Sequence, residues 1–199
     1  MIDRIKMVLV LMIFAAVSAT LLGWIQNYTK PIVEKNREVK LKQTVLNAFE
    51  IEYTDTSVLD IFNKNVDVFA EENMTYYRCF TEETEGRKIY TGTAVELSGP
   101  GFWAPIKIIV ALSEDYETII GFTVVEQEET PGLGGRMVEP WFIEQFKGKK
   151  VKPELRIISN RQGDNPNEVD AITGATETSK ALSRILNNGM QNFFKELNK

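Results

Sequence analysis

The sequence predicts an α+β fold: an antiparallel sheet flanked by helices and preceded by one N-terminal transmembrane helix. Three observations lead there. An uncharged run, Met7 to Ile25, opens the chain; segments rich in β-branched and aromatic residues fill its middle; an amphipathic stretch with i, i+3, i+4 spacing closes it.

The uncharged run, taken as a helix, reaches roughly 28 Å at 1.5 Å per residue, close to the hydrocarbon thickness of a bilayer. Trp24 and Tyr28 fall where an aromatic interface belt belongs, and Arg4 with Lys6 marks the other end. The competing reading is a cleaved signal peptide, with Val17-Ser18-Ala19 as its small-residue site, but the apolar run continues past it. Lys30, Lys35, Arg37, Lys40 and Lys42 follow the span, so charge counting favours keeping that side in the cytoplasm, a rule that weakens when a whole domain follows. From Pro31 to about Glu52 the pattern predicts a second helix with proline at its start. Strands are predicted at Thr75 to Phe80, Lys88 to Leu97, Pro105 to Leu112 and Ile119 to Glu126, with a solvated turn at Thr81 to Gly86. A short helix around Trp141 to Phe146 and a terminal helix from about Glu177 to Leu197 complete the order. The expected domains are an anchor over 1–28, a helical stalk over 29–70 and a ligand-binding domain over 71–199.

Composition narrows the function. With 199 residues, 43% hydrophobic and 26% charged, the chain has room for one ordinary globular domain and an appendage. A net charge of -5 and a pI near 5.0 remove the electrostatic case for a nucleic-acid partner. The single cysteine, Cys79, lies in an apolar stretch and reads as a buried structural thiol. The absence of histidine removes Ser-His-Asp and Cys-His catalysis and histidine-ligated metals, so redox work requires an organic cofactor. No catalytic residue and no metal ligand set is expected.

Two segments carry chemistry. The first, Asp170-Ala171-Ile172-Thr173-Gly174-Ala175-Thr176-Glu177-Thr178-Ser179, gathers hydroxyls around a glycine at the start of the terminal helix. Free amides and the helix dipole there favour a phosphate, while plain capping by Thr173 or Thr176 explains the same residues. The second, Glu129-Thr130-Pro131-Gly132-Leu133-Gly134, follows the last predicted strand, and its glycines permit positive φ and close backbone approach. No Lys-Ser or Lys-Thr follows, which excludes a P-loop.

The first segment resembles the flavinylation motif of the FMN-binding domains in the C subunit of the sodium-pumping NADH:quinone reductase and the G subunit of the Rnf complex: Asp, two variable residues, Ser or Thr, Gly, Ala, Thr. The second is similar to the same family's loop, and Gly101-Phe102-Trp103 through Gly121-Phe122 looks like its strand pair. The resemblance covers most of Leu97 to Lys180, and the length favours the G subunit. It implies FMN joined covalently through a phosphodiester to Thr176 by a separate flavin transferase using FAD. Asp170, Thr173, Gly174, Ala175, Thr178, Ser179, Glu129, Thr130, Gly132, Leu133 and Gly134 are then the remaining cofactor-site candidates. Trp103 and Trp141 can stack on the ring or simply pack. Many relatives carry a histidine where this chain has Gln127, which cannot titrate. The implied role is an electron-relay subunit of an ion-translocating ferredoxin:NAD oxidoreductase. Its partners are the other subunits, its location a single-pass anchor in the plasma or inner membrane with the domain on the non-cytoplasmic side. The alternatives are another membrane reductase and a non-redox anchored assembly protein.

Overall fold

The computed structural model describes residues 2–71, 74–82, 87–159, 163 and 165–197. The chain divides into two compact units, residues 1–40 and 41–199. Helix α1 runs over Ile2–Ala48, α2 over Val58–Asn65, and strands β1 to β5 over Val66–Glu71, Met74–Glu82, Lys88–Pro100, Pro105–Ser113 and Ile119–Glu126. A short 3-10 turn at Gly134–Val138 leads into α3, Pro140–Ile143; β6, Arg156–Ile158, and β7, Glu168–Asp170, precede α4, Thr176–Leu197.

The first unit is helical, with apolar side chains from Met7 to Ile25 exposed, and among the described residues it holds the one helix long and apolar enough to cross a membrane. The second helix expected from Pro31 is not separate. Pro31 lies inside α1; a proline removes one hydrogen bond and strains one turn, and here the flanking turns carry the helix through. The helix also stops at Ala48 rather than Glu52. Glu50 adopts φ 56°, and Ile51 N–H donates to the Leu46 carbonyl while Glu50 N–H donates to that of Asn47, each at 3.0 Å, the paired bonds of a Schellman closure.

The five-stranded sheet is an antiparallel meander in the order β1-β2-β3-β4-β5, so each strand pairs with its neighbour in sequence. All four predicted strands are present. Edge strand β1 and helix α2 went unforeseen, and β1 places the start of the sheet at Val66, ahead of the expected boundary at 71. The predicted turn at Thr81 to Gly86 lies, beyond Glu82, outside the described residues; Thr81 and Glu82 belong to β2. Strand β4 is buried from Ile108 to Leu112; Ile108, Val110 and Leu112 share one face and one core cluster with Leu182, Ile185, Leu186, Met190 and Phe193 of α4, while Ile109 and Ala111 point to the opposite face. At the other end Phe122 stacks on Phe146 at 4.0 Å and Phe142 meets Phe146 edge-on at 5.3 Å. This aromatic cluster fixes the segment between β5 and β6. Cys79 is buried, and desolvation pushes its thiol pKa up, as a structural thiol requires. Strands β6 and β7 form a separate parallel pair that delivers Asp170 to the chain just before α4.

Candidate functional site

Two type II-like turns and one helix start build the site. Thr130 to Leu133 is closed by the Leu133 N–H to Thr130 carbonyl bond at 3.1 Å, with Pro131 second and Gly132 third at φ 76°. Ile172 to Ala175 is closed by Ala175 N–H to the Ile172 carbonyl at 3.0 Å, with Gly174 third at φ 79°. In both, the glycine occupies the position where a side chain strains the left-handed backbone.

Helix α4 begins directly at Thr176. Its first acidic residue, Glu177, suits the dipole and pairs with Lys180 at 2.8 Å. Thr176 is exposed, and among the described residues nothing bonds to its hydroxyl; the same holds for Thr173. Neither threonine therefore caps the helix. Ser179, one turn in, instead accepts the Ile172 N–H at 3.2 Å, while its own N–H donates to the Ala175 carbonyl at 3.0 Å. The N–H groups of Thr176, Glu177 and Thr178 have no partner among the described residues, which leaves an anion-binding helix start beside a free hydroxyl.

Thr176 and Gly174 lie between two clefts and line both. One, of about 260 Å³, is walled by Phe102, Trp103, Glu129, Thr130, Leu133, Gly134, Ala175, Glu177 and Thr178. The other, of about 290 Å³, is more polar and is lined by Ile158, Ser159, Asp170, Ala171, Ile172 and Thr173. Asp170 is held from both sides: its carboxylate accepts the Gly163 N–H at 2.7 Å and its own N–H donates to Gln145 Oε1 at 2.8 Å.

Glu129 sits behind the first cleft at 4% exposure. Its Oε1 accepts the backbone N–H groups of Phe102 and Trp103 at 2.7 and 3.1 Å, and its Oε2 accepts the Thr178 hydroxyl at 2.7 Å. Among the described residues it has no cationic partner. A Cβ on Gly101 would stand 2.5 Å from Glu129 Oε1, and one on Gly134 only 2.4 Å from Thr178 Oγ1. Both glycines are needed to clear room for this cluster. Gln127, in the position where a histidine was the family expectation, accepts the Glu129 N–H at 2.7 Å and so braces the same loop.

Most of the sequence-predicted site residues are thus brought to one or other cleft, with Thr176 and Gly174 shared. Gly132 and Ser179 are not: Gly132 lines neither cleft and supplies only the turn, and Ser179 is buried as a backbone partner. Trp141 is also outside, donating its indole N–H to Glu139, whereas Trp103 stands at the cleft mouth, 69% exposed and edge-on to Phe102. Gln145 and the pairing of Glu129 with Phe102, Trp103 and Thr178 were not foreseen; no local pattern signals partners 25 to 49 residues apart.

Residues 101–191 match the family described as FMN-binding domain. The matched span contains both clefts' threonine, the Glu129 cluster and the aromatic lip. The sequence is 27% identical to the G subunit of the Na(+)-translocating ferredoxin:NAD(+) oxidoreductase complex of Acetobacterium woodii, over 94% of this chain and 89% of that protein. It is 34% identical to the C subunit of the Na(+)-translocating NADH-quinone reductase of Yersinia pestis, over 50% of this chain but 41% of that one. In fold it is similar to the crystal structure of Shewanella oneidensis NqrC, with a TM-score of 0.69 at 22% identity over 83% of this chain and 99% of the other. The residues of the matched span fit such a group: amides and a hydroxyl without partners among the described residues suit a phosphate end, and the aromatic-lipped cleft suits a planar ring.

Proposed function

We propose that this chain is the FMN-bearing electron-relay subunit of a membrane-bound, ion-translocating ferredoxin:NAD oxidoreductase, of the G-subunit type, with FMN joined through its phosphate to Thr176. The observation that carries the reading is the Thr176 hydroxyl: exposed, unbonded among the described residues, and set at the open amides of a helix start between two clefts. Alignment along nearly the whole length of a G subunit, against less than half of a C subunit, supports the assignment within the family.

In this reading the amides of Thr176, Glu177 and Thr178 hold the phosphate, and Phe102, Trp103 and Leu133 wall the ring. FMN when bound supplies reversible one- and two-electron chemistry that no side chain of this chain provides. Attachment forms the bond from Thr176 Oγ to phosphorus and expels AMP from FAD, with the hydroxyl proton taken by a flavin transferase. That enzyme supplies the activation, since among the described residues no base is bonded to the Thr176 hydroxyl. Helix α1 anchors the protein as a single pass, with the FMN-binding domain on the non-cytoplasmic side and the other subunits as electron donor and acceptor.

The test is a denaturing gel viewed under ultraviolet light. The wild-type protein made with its transferase should fluoresce, and Thr176→Val should be dark while remaining folded, because it exchanges a hydroxyl for a methyl at an exposed site. Fluorescence retained in the mutant would refute attachment at Thr176. Loss of folding along with flavin would return the residue to capping.

A further inference from the structure

We infer that Glu129 is a positioning residue: its buried carboxylate clamps the Phe102–Trp103 lip to the start of α4, and thereby fixes the orientation of the flavin ring without binding it. The inference rests on the reading of Thr176 as the flavin-bearing residue, but its physical basis does not.

The lip needs an external tether. Phe102 is 57% and Trp103 69% exposed, so burial of their side chains does little to hold the loop between β3 and β4 in place. Its internal closure is the single bond from Gly101 N–H to the Ala104 carbonyl at 3.0 Å. Both aromatic residues instead donate their backbone N–H groups to one oxygen of Glu129, which follows the end of β5 by three residues. The second oxygen takes the hydroxyl of Thr178, two residues after the flavin threonine. One carboxylate therefore joins three segments that are distant in sequence: the lip, the Glu129 loop and the helix start.

Its burial is otherwise hard to account for. A carboxylate taken out of water with no cation beside it is destabilising unless hydrogen bonds replace its hydration, and charge-assisted bonds to three donors do so. An apolar side chain would pack there without that demand. The glycines at 101 and 134 leave the space that the carboxylate and the Thr178 hydroxyl occupy. Gln127 adds a fourth constraint by accepting the Glu129 N–H. Both oxygens of the carboxylate accept from protein donors, Oε1 from two and Oε2 from one, so its task is to set the distance between lip and threonine.

The experiment uses full-length protein in detergent and separates the clamp from the flavin. In flavin-free Thr176→Val protein, hydrogen exchange at the Phe102 and Trp103 amides is followed by NMR or mass spectrometry, alone and with Glu129→Ala, Glu129→Gln or Thr178→Val added. Loss of the acceptor should speed exchange of both amides about ten- to hundred-fold in Glu129→Ala. Glu129→Gln keeps a carbonyl oxygen for the two N–H groups and an amide N–H for the Thr178 oxygen, so it should stay close to the parent. Thr178→Val frees one of the three bonds and should fall between; it also serves if Glu129→Ala does not fold. In flavin-carrying protein, Glu129→Ala should keep covalent flavin but lower its fluorescence anisotropy and its visible circular dichroism, with Glu129→Gln restoring both. Unchanged amide exchange in Glu129→Ala and Thr178→Val would overturn the clamp. If Glu129→Gln behaves as Glu129→Ala, negative charge rather than position is what the site uses, and the inference fails. Absence of covalent flavin in the wild type refutes the functional reading alone, since the exchange arm does not need it.

Discussion

Gly134→Ala tests the packing of the Glu129 cluster directly. The added methyl would stand 2.4 Å from Thr178 Oγ1, 2.9 Å from its Cγ2 and 3.0 Å from Glu129 Cβ, all closer than atoms pack. Gly134 is not in the left-handed region, so the cost is steric rather than conformational. Two routes relieve the clash. Thr178 can turn away and lose its 2.7 Å bond to the carboxylate, about 1.5–3 kcal/mol for a bond to a charged group, or the backbone can shift at an overpacking cost of about 1–3 kcal/mol. These are alternatives, and the cheaper sets the result; the smaller unfolded-state entropy of alanine offsets about 0.5 kcal/mol. A net loss of about 1–2 kcal/mol lowers the melting temperature of a domain of this size by roughly 2–8 °C. The assay is thermal unfolding in detergent followed by tryptophan emission, run also with Thr178→Ala, which removes both clashing atoms of the threonine. In that background Gly134→Ala should cost at least about 0.5 kcal/mol less than in the wild type. An unshifted melting temperature, or the same cost in both backgrounds, would refute the packing argument.

Gly132→Val probes the other glycine of the loop, where nothing lies within 4 Å of an added Cβ and only the φ of 76° opposes it. A destabilisation of about 1–2 kcal/mol with near-normal covalent flavin is expected, read by melting temperature and in-gel fluorescence; loss of flavin would mean the turn is part of what the transferase recognises. Asp115 accepts bonds from Ser113 Oγ at 2.5 Å and from the N–H groups of Glu117 and Thr118 at 2.8 and 3.1 Å, which hold its carboxyl well below the usual carboxylate range. Its folded-state pKa is depressed, so its contribution is present above the unfolded value of 3.8 and is lost as pH falls toward the folded one. Melting temperature should therefore fall more steeply between about pH 4.5 and 2.5 in the wild type than in Asp115→Asn, the two curves converging at the acid end; parallel curves would contradict this.

What the sequence made legible was local. Strand β5 was bounded correctly at Ile119 and Glu126 because a turn with Asp115 precedes it and its residues suit a half-buried sheet. The start of α4 was readable within one residue from Gly174 and the amphipathic spacing beyond it. Strand β1 was not, since Asp67 and Glu71 interrupt an edge strand that is buried only at Val66. Three-residue strands such as β6 and β7 are too short for any period to register. Glu129 was recognisable as part of a motif, but its partners Phe102 and Thr178 come from segments that only the folded sheet brings together. Pro31 misled because proline usually opens a helix, whereas here an already long helix absorbs it.

The meander also bears on the order of events during synthesis. Strands β1 to β5 each pair with the preceding strand, so the sheet can assemble progressively as the chain emerges, through contacts of short sequence separation. Thr176 lies on α4, after every strand of that sheet, and α4 covers the sheet with residues as late as Phe193. A chain arrested before that helix can pair its strands yet lacks Thr176 in its folded setting. A transferase that recognises Thr176 in its folded setting would consequently modify only chains whose translation and folding have both passed this helix, and cofactor loading becomes a record that the domain was finished.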